Sequence, residues 1–255
     1  MTMALDLDAI RRKLNNLQSQ TGKQNNLWKP EPGNNVVRIV PYQFNKENPF
    51  LEMYFHYDLG KKNFLSPVTY GEADPVDEFA QQLRSTGKSD DWKLSKKLTP
   101  KMRVYVPVIV RGQESEGVKF WGFGKQVYTE LLGFIADPDY GDITDLSGGR
   151  DISVDYTPAE NGNFPKTGIR VKPNQTPATS DKNIADKIIT GQKDVYDIFK
   201  KQSYDDLKAA LATWLNGGEE GSPETVTESK TVAAVTDTTQ TDNIGAAFDD
   251  LFASK

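Results

Sequence analysis

The sequence predicts a mainly β fold with helical additions, an α+β class built on a small barrel. Three observations carry this. Short strand-like runs recur between Gly, Pro and Asn punctuation. Several intervening segments place their apolar residues at helical spacing. The last forty residues turn to Thr, Glu, Ser, Ala and Gly, a composition with too little apolar surface to fold.

Taken in chain order, LDLDAIRRKLNNL (5–17) sets Leu7, Ile10, Leu14 and Leu17 on one helical face, with Asp6 or Asp8 as the cap. A helix of about 12 residues is marginal alone in water, so the stripe requires a partner, either its own domain or a neighbouring molecule. Gly22 to Gly33 reads as a linker or loop, and Trp28 within it is a core plug or a surface aromatic. Strands are expected at 36–42, 51–57, 64–70, 102–110, 118–123, 151–156 and 168–172. Helices are expected at 76–84, 124–136, 182–189 and 203–215. Ser203 with Asp206 has the spacing of a capping box, and Asn216-Gly217-Gly218 stops the last helix. The domain reading is a helical arm over 1–21, a core over 22–215 and a disordered acidic tail over 216–255.

Of the 255 residues, 36% are hydrophobic and 26% charged, which suits one large domain or two small ones with a modest core. There is no cysteine, which removes disulfides, thiolate metal sites and thiol nucleophiles. No apolar run has the length of a signal peptide or of a membrane span, so a cytoplasmic protein without membrane contact is expected. The net charge of −5 hides an asymmetry. Residues 216–255 hold eight acids and two bases, whereas 88–125 hold nine bases and four acids. A basic zone with an acidic arm points to a nucleic-acid surface.

Catalytic motifs are missing. His56 is the only histidine, and no G-x-S-x-G elbow exists. TGKS (86–89) lacks the first glycine of a phosphate loop, since Gln82 stands there. DPDYGDITD (137–145) gathers four carboxylates without the spacing of a calcium loop, and reads as a solvated turn. No enzyme and no cofactor is expected.

Aromatic and basic residues interleave in three clusters. The first is Tyr54, Phe55, Tyr57, Lys61, Lys62, Phe64 and Tyr70. The second is Trp92, Lys93, Lys96, Lys97, Lys101, Arg103 and Tyr105. The third is Arg111, Lys119, Phe120, Trp121, Phe123, Lys125 and Tyr128. Single-stranded nucleic acid needs both ingredients: cations follow phosphates, and aromatic faces stack unpaired bases. The competing role for each aromatic is core packing. In 118–123, Phe120 faces one side of a strand while Lys119, Trp121 and Phe123 face the other, so one set is core and the other is placed in the groove.

The order of these pieces resembles the single-stranded DNA-binding, helix-destabilising proteins of T-even-like bacteriophages, especially the cyanophage branch. The matching pieces are Trp28-Lys29, VVRIVP (36–41), His56 before Gly60-Lys61-Lys62, DPVDEF (74–79), KKLT (96–99), EGVKFWGFGKQVYTELL (116–132) and the acidic tail ending FDDLF. The resemblance implies an oligonucleotide/oligosaccharide-binding (OB-fold) barrel and cooperative, non-specific coating of single-stranded DNA in phage replication, recombination and repair. The expected location is the cytoplasm of the infected bacterial host. It further implies that Arg38 is a groove arginine, that Lys96 and Lys97 form the basic run of a connecting loop, that Trp121 stacks on a base, and that Phe64 and Tyr70 lie near two other stacking positions.

Relatives hold structural zinc through one His and three Cys, two of them in Cys-Pro-Val-Cys. Here Asp74-Pro75-Val76-Asp77 stands instead, leaving His56 without those partners. The subdomain near 56–84 that the resemblance implies is therefore expected to hold without metal, with Val76, Phe79 and Leu83 as a packed helix face. Self-association is assigned to Leu7, Ile10, Arg11, Arg12, Lys13, Leu14 and Leu17. In the tail, Phe248, Leu251 and Phe252 fall at i, i+3 and i+4 among Asp249 and Asp250, an anchor pattern for replication and recombination proteins. The remaining alternatives are a replisome scaffold or recruitment protein, an RNA-binding regulator and, last, a carboxylate-dependent nuclease.

Overall fold

The computed structural model describes residues 26–57, 59–60, 63–160, 162–216, 247–248 and 251–252. The N-terminal helix expected at 5–17 lies outside them. The chain divides into two compact units. One comprises Met1–Leu51 and Val104–Ile198, the other Glu52–Arg103 and Phe199–Lys255.

The first unit is mainly sheet. Its strands are β1 (Leu27–Trp28), β2 (Gly33–Ile39), β5 (Lys101–Val110, which enters from the second unit), β6 (Lys119–Phe123), β7 (Arg150–Thr157) and β8 (Lys166–Gln175). They lie in the order β1-β6-β5-β2-β7-β8. All neighbours are antiparallel except β1 and β6, which run parallel with Trp28 beside Trp121. From Val104 onward β5 is buried at every residue, as a central strand covered on both faces must be. Two helices belong here, α3 (Lys125–Ala136) and α4 (Lys182–Thr190). Val127 and Leu131 bury one face of α3, and Ile188 of α4 joins Val40, Ile109 and Ala178 in a satellite core.

Glycine is required at two places in this unit. Opposite Tyr105 in the register, a Cβ on Gly122 would lie 2.5 Å from Cε1 of the tyrosine ring. A Cβ on Gly149 would lie 2.4 Å from the carbonyl oxygen of Asp145, at the turn that feeds β7. That turn begins at Asp145, the last residue of the carboxylate-rich 137–145 segment. Its Asp145 accepts from the N–H groups of Ser147 and Gly148, and these hold its carboxyl below the usual range.

The second unit holds β3 (Leu51–His56), β4 (Phe64–Leu65), α1 (Pro75–Ser85), α2 (Ser89–Leu98) and α5 (Tyr204–Leu215). β3 pairs with β4 and with β5, whose first residues belong to this unit. The strand expected over 64–70 ends at Leu65. Ser66 caps Pro67–Tyr70 as a 3-10 helix by accepting from the N–H of Val68, and Pro67 is already set for a helical first position. Asp74 caps α1 by accepting from Val76 and Asp77 N–H, with Pro75 at the first helical position. Ser203 and Asp206 form the expected capping box on α5. Helix α2 was not expected. It buries only Ser95 and Leu98, too short a stripe to show as periodicity, but Asp90 and Asp91 lie in the first turn and Lys96 and Lys97 in the last, as the helix dipole favours. Thr86, Gly87 and Lys88 of TGKS form the turn joining α1 to α2, with Gly87 at φ +71° and Ser89 opening α2.

Val76, Phe79, Ala80 and Leu83 of α1 pack with Leu98 of α2, Leu207 and Leu211 of α5, Leu59 and Phe252. Val76, Phe79 and Leu83 thus form the packed helix face expected of them.

Candidate nucleic-acid interface

In the second unit the chain runs from α2 through Thr99 and Pro100 directly into β5. Lys93, Lys96 and Lys97 sit at i, i+3 and i+4 on α2, opposite the buried Ser95–Leu98 edge, and all three are exposed. Lys101 and Arg103 follow on one face of β5, also exposed. Trp92 is 49% exposed, with the Lys96 ammonium 3.8 Å from its ring centroid. One continuous segment therefore presents a large aromatic face among cations. α2 is fixed beneath it by Arg84, which donates from Nε to Ser95 Oγ (3.2 Å) and from Nη2 to Thr99 Oγ1 (2.5 Å). Tyr57 is half-buried nearby in charge terms: burial pushes its phenol up, and the positive charge of Arg103 opposes the shift. Lys96 and Lys97 stand on the last turn of a helix rather than in a loop.

Other expected contacts fall elsewhere. Arg38 is 0% exposed. Its Nε donates to Asp151 Oδ1 (3.0 Å), and Nη1 and Nη2 donate to the backbone and hydroxyl oxygens of Thr176 (2.8 and 2.6 Å). Arg111 grips the same Asp151 from Nε and Nη2, and reaches the carbonyls of Ala178 and Pro177. Two guanidinium groups sharing one carboxylate clamp β2, β5 and β7 to the 176–178 segment. Burial pushes Arg38 down from its ordinary value and Arg111 adds to the effect, against the pull of Asp151. Arg38 is a structural arginine, because its donors are spent inside the protein.

Trp121 is 1% exposed, edge-on to Trp28 at 5.8 Å and to Phe123 at 4.6 Å between centroids. Phe120, Trp121 and Phe123 are all buried, so both faces of β6 are core and the expected division into a core set and a groove set fails. Trp121, Phe123 and Tyr105 offer no free face for a base in this structure. Trp28 is a core plug. Lys119 pairs with Glu116, and Lys125 is exposed at the start of α3. Phe64 packs against the helical core. Tyr54 is half-buried, and its backbone N–H donates to Thr69 Oγ1. Tyr70 lies under the Lys201 ammonium at 4.6 Å. Lys61 and Lys62 lie outside the described residues, as do the self-association residues 7–17 and Asp249 and Asp250.

Behind the basic segment lies a buried polar cluster. His56 Nδ1 meets the carbonyl oxygen of Leu98 at 2.8 Å, which makes this nitrogen a donor, and Nε2 meets Asp74 Oδ2 at 2.8 Å. Ser66 Oγ donates to the same carboxylate oxygen. His56 is thus fully partnered through the aspartate that opens DPVD. Burial alone would raise the Asp74 carboxyl; hydrogen bonds from His56, Ser66 and the Asp77 N–H hold it below its ordinary value. The cluster does not fit structural zinc. The sequence holds no cysteine, both ring nitrogens of His56 are engaged, and both Asp74 oxygens accept from protein donors.

Sequence reasoning put Trp92 and Lys93 in a basic cluster without assigning them a contact. The spacing of Trp92 to Lys96, one turn of a helix, was the available signal.

Among the described residues no helix is long and apolar enough to cross a membrane. No curated protein matches the chain. Residues 31–215 match the family described as gp32 DNA binding protein like. That span covers well over half of the sequence and contains the whole basic segment, so the chain belongs to the gp32-like family of DNA-binding proteins.

Proposed function

We propose that this protein coats single-stranded DNA cooperatively and without sequence specificity, and that it does so during phage DNA replication, recombination and repair in the cytoplasm of the infected host. It acts without catalysis, lowering duplex stability because it binds one state and not the other. The observation that carries the reading is the exposed Trp92–Lys96 pair beside Lys97, on a chain whose family binds DNA. A duplex hides its base faces, so an exposed indole among lysines favours unpaired bases, while the lysines give affinity through counterion release. We take the sheet of the first unit to be the OB-type barrel that the resemblance implies. Residues 1–21 supply contacts between neighbours on DNA, and the C-terminal tail recruits replication and recombination proteins.

The test is titration of the full chain with oligo-dT and with duplex of equal length, in EDTA, across a salt series. Preference for the single strand with a steep salt slope is expected; equal binding to both would overturn the reading. Deleting residues 1–20 should spare a short oligonucleotide and abolish cooperative coating of a long strand.

A further inference from the structure

The C-terminal tip has a docking site on its own chain. Ala247, Phe248, Leu251 and Phe252 are helical and lie against the apolar cluster of α1 and α5. The Phe248 ring meets Phe79 of α1 edge-on at 6.0 Å. Phe252 meets Tyr204 of α5 at 6.5 Å, and the two phenylalanines contact each other at 4.7 Å. Phe252 is only 7% exposed, and the Lys208 ammonium stands 4.6 Å from its ring centroid. The i, i+3, i+4 anchors of the tip therefore meet a groove of matching chemistry: aliphatic and aromatic walls, with the Lys208 cation beside the Phe252 ring.

We propose that the α1/α5 groove is a peptide-binding site whose resident ligand is the tip of the same chain, held in cis. The thirty residues from 217 to 246 can span far more than the width of one unit at roughly 3.3–3.6 Å per residue, so nothing in the connection forces the tip away. A tethered ligand sees its site at an effective concentration on the order of millimolar, so a weak intrinsic contact suffices for occupancy. The site accepts a short acidic helix with aromatic residues one turn apart. Any protein that captures the tip through Phe248, Leu251 and Phe252 must first take these side chains out of the groove, so recruitment through the tail is a competition, not an encounter with a free hook. This inference does not depend on DNA binding.

The test uses a fluorescein-labelled peptide of residues 244–255 and three full-length proteins without DNA: wild type, the triple variant Phe248→Ala/Leu251→Ala/Phe252→Ala, and that triple variant with Lys208→Glu added. The three substitutions lie outside α1–α5, and circular dichroism checks that the fold is kept. Saturable binding to the triple variant, at least ten-fold weaker binding to wild type, and loss of binding when Lys208→Glu is added to the triple variant are expected. No binding to the triple variant, or equal binding to it and to wild type, would overturn the proposal. As an independent measure, amides of α1 and α5 should exchange faster in the triple variant than in wild type, and unchanged exchange would overturn it too. A wild-type dimer in sedimentation that the triple variant loses would assign the tip to a second copy and overturn the cis assignment.

Discussion

The ring of His56 and the carboxylate of Asp74 meet at 2.8 Å with both side chains 1% exposed, so one hydrogen bond joins β3 to the cap of α1 inside the second unit. Asp74 also holds Ser66 through the same oxygen, and Val76 and Asp77 through the other.

The first prediction is an acid-dependent loss of stability. The folded Asp74 carboxyl sits below its ordinary value, so its contribution is present above the unfolded value of about 3.9 and is lost as pH falls through the lower folded value. Melting temperature should fall steeply below about pH 4. Asp74→Ala, which strands a buried histidine and uncaps α1, should cost about 3–5 kcal/mol near neutrality and flatten that acid limb. An unchanged denaturant midpoint for Asp74→Ala would refute the role given to this pair.

Trp92 and Trp121 should separate binding from folding. Trp92→Ala removes an exposed ring and should weaken oligo-dT binding by about 1–3 kcal/mol while leaving the melting curve in place. Trp121→Ala empties a core position against Trp28 and Phe123 and should cost about 3–5 kcal/mol of stability. The reverse pattern would return base stacking to Trp121.

Gly122 tests the sheet at one point. Gly122→Val places a side chain where the Tyr105 ring already lies, so either the ring or β6 must shift. A loss of about 1–3 kcal/mol, read from urea unfolding, is expected; a Gly122→Val/Tyr105→Ala double variant should recover part of it.

The acidic tail should compete with DNA. Deleting residues 217–255 removes a charge of −6 and should tighten binding to oligo-dT at low salt, with the gain fading as salt screens the acids. A gain that persists undiminished at high salt would point to something other than charge.

What was legible in the sequence was what local chemistry decides. Ser203 with Asp206 announces a helix start because a cap needs only its own next three residues. The strand expected at 36–42 lies at Gly33–Ile39, and the one expected at 102–110 lies at Lys101–Val110. Local reading failed where a distant partner decides. Arg38 and Arg111 are charged, but Asp151 and the 176–178 backbone consume their donors, and nothing near either arginine in the sequence signals that. Alternation in β6 implied a buried face and an exposed one, yet both faces are covered. Helix α2 escaped because a helix resting on Ser95 and Leu98 has almost no stripe to read, and it turned out to carry the exposed indole and the lysines of the candidate interface. The tip of the tail was legible as an anchor motif, but not as one already docked on α1 and α5.

The second unit is assembled from two stretches of chain, Glu52–Arg103 and Phe199–Lys255, with the whole later part of the first unit synthesised between them. During translation α1 therefore emerges with Val76, Phe79 and Leu83 only partly covered, by Leu59 and Leu98, and Leu207 and Leu211 reach it only after the intervening Val104–Ile198 stretch has been made. Closure over so long a sequence separation is slow, and nascent chains with such a face exposed are prone to associate. A chain cut short before α5 should be a client for holding chaperones, whereas one that extends through α5 can close this core.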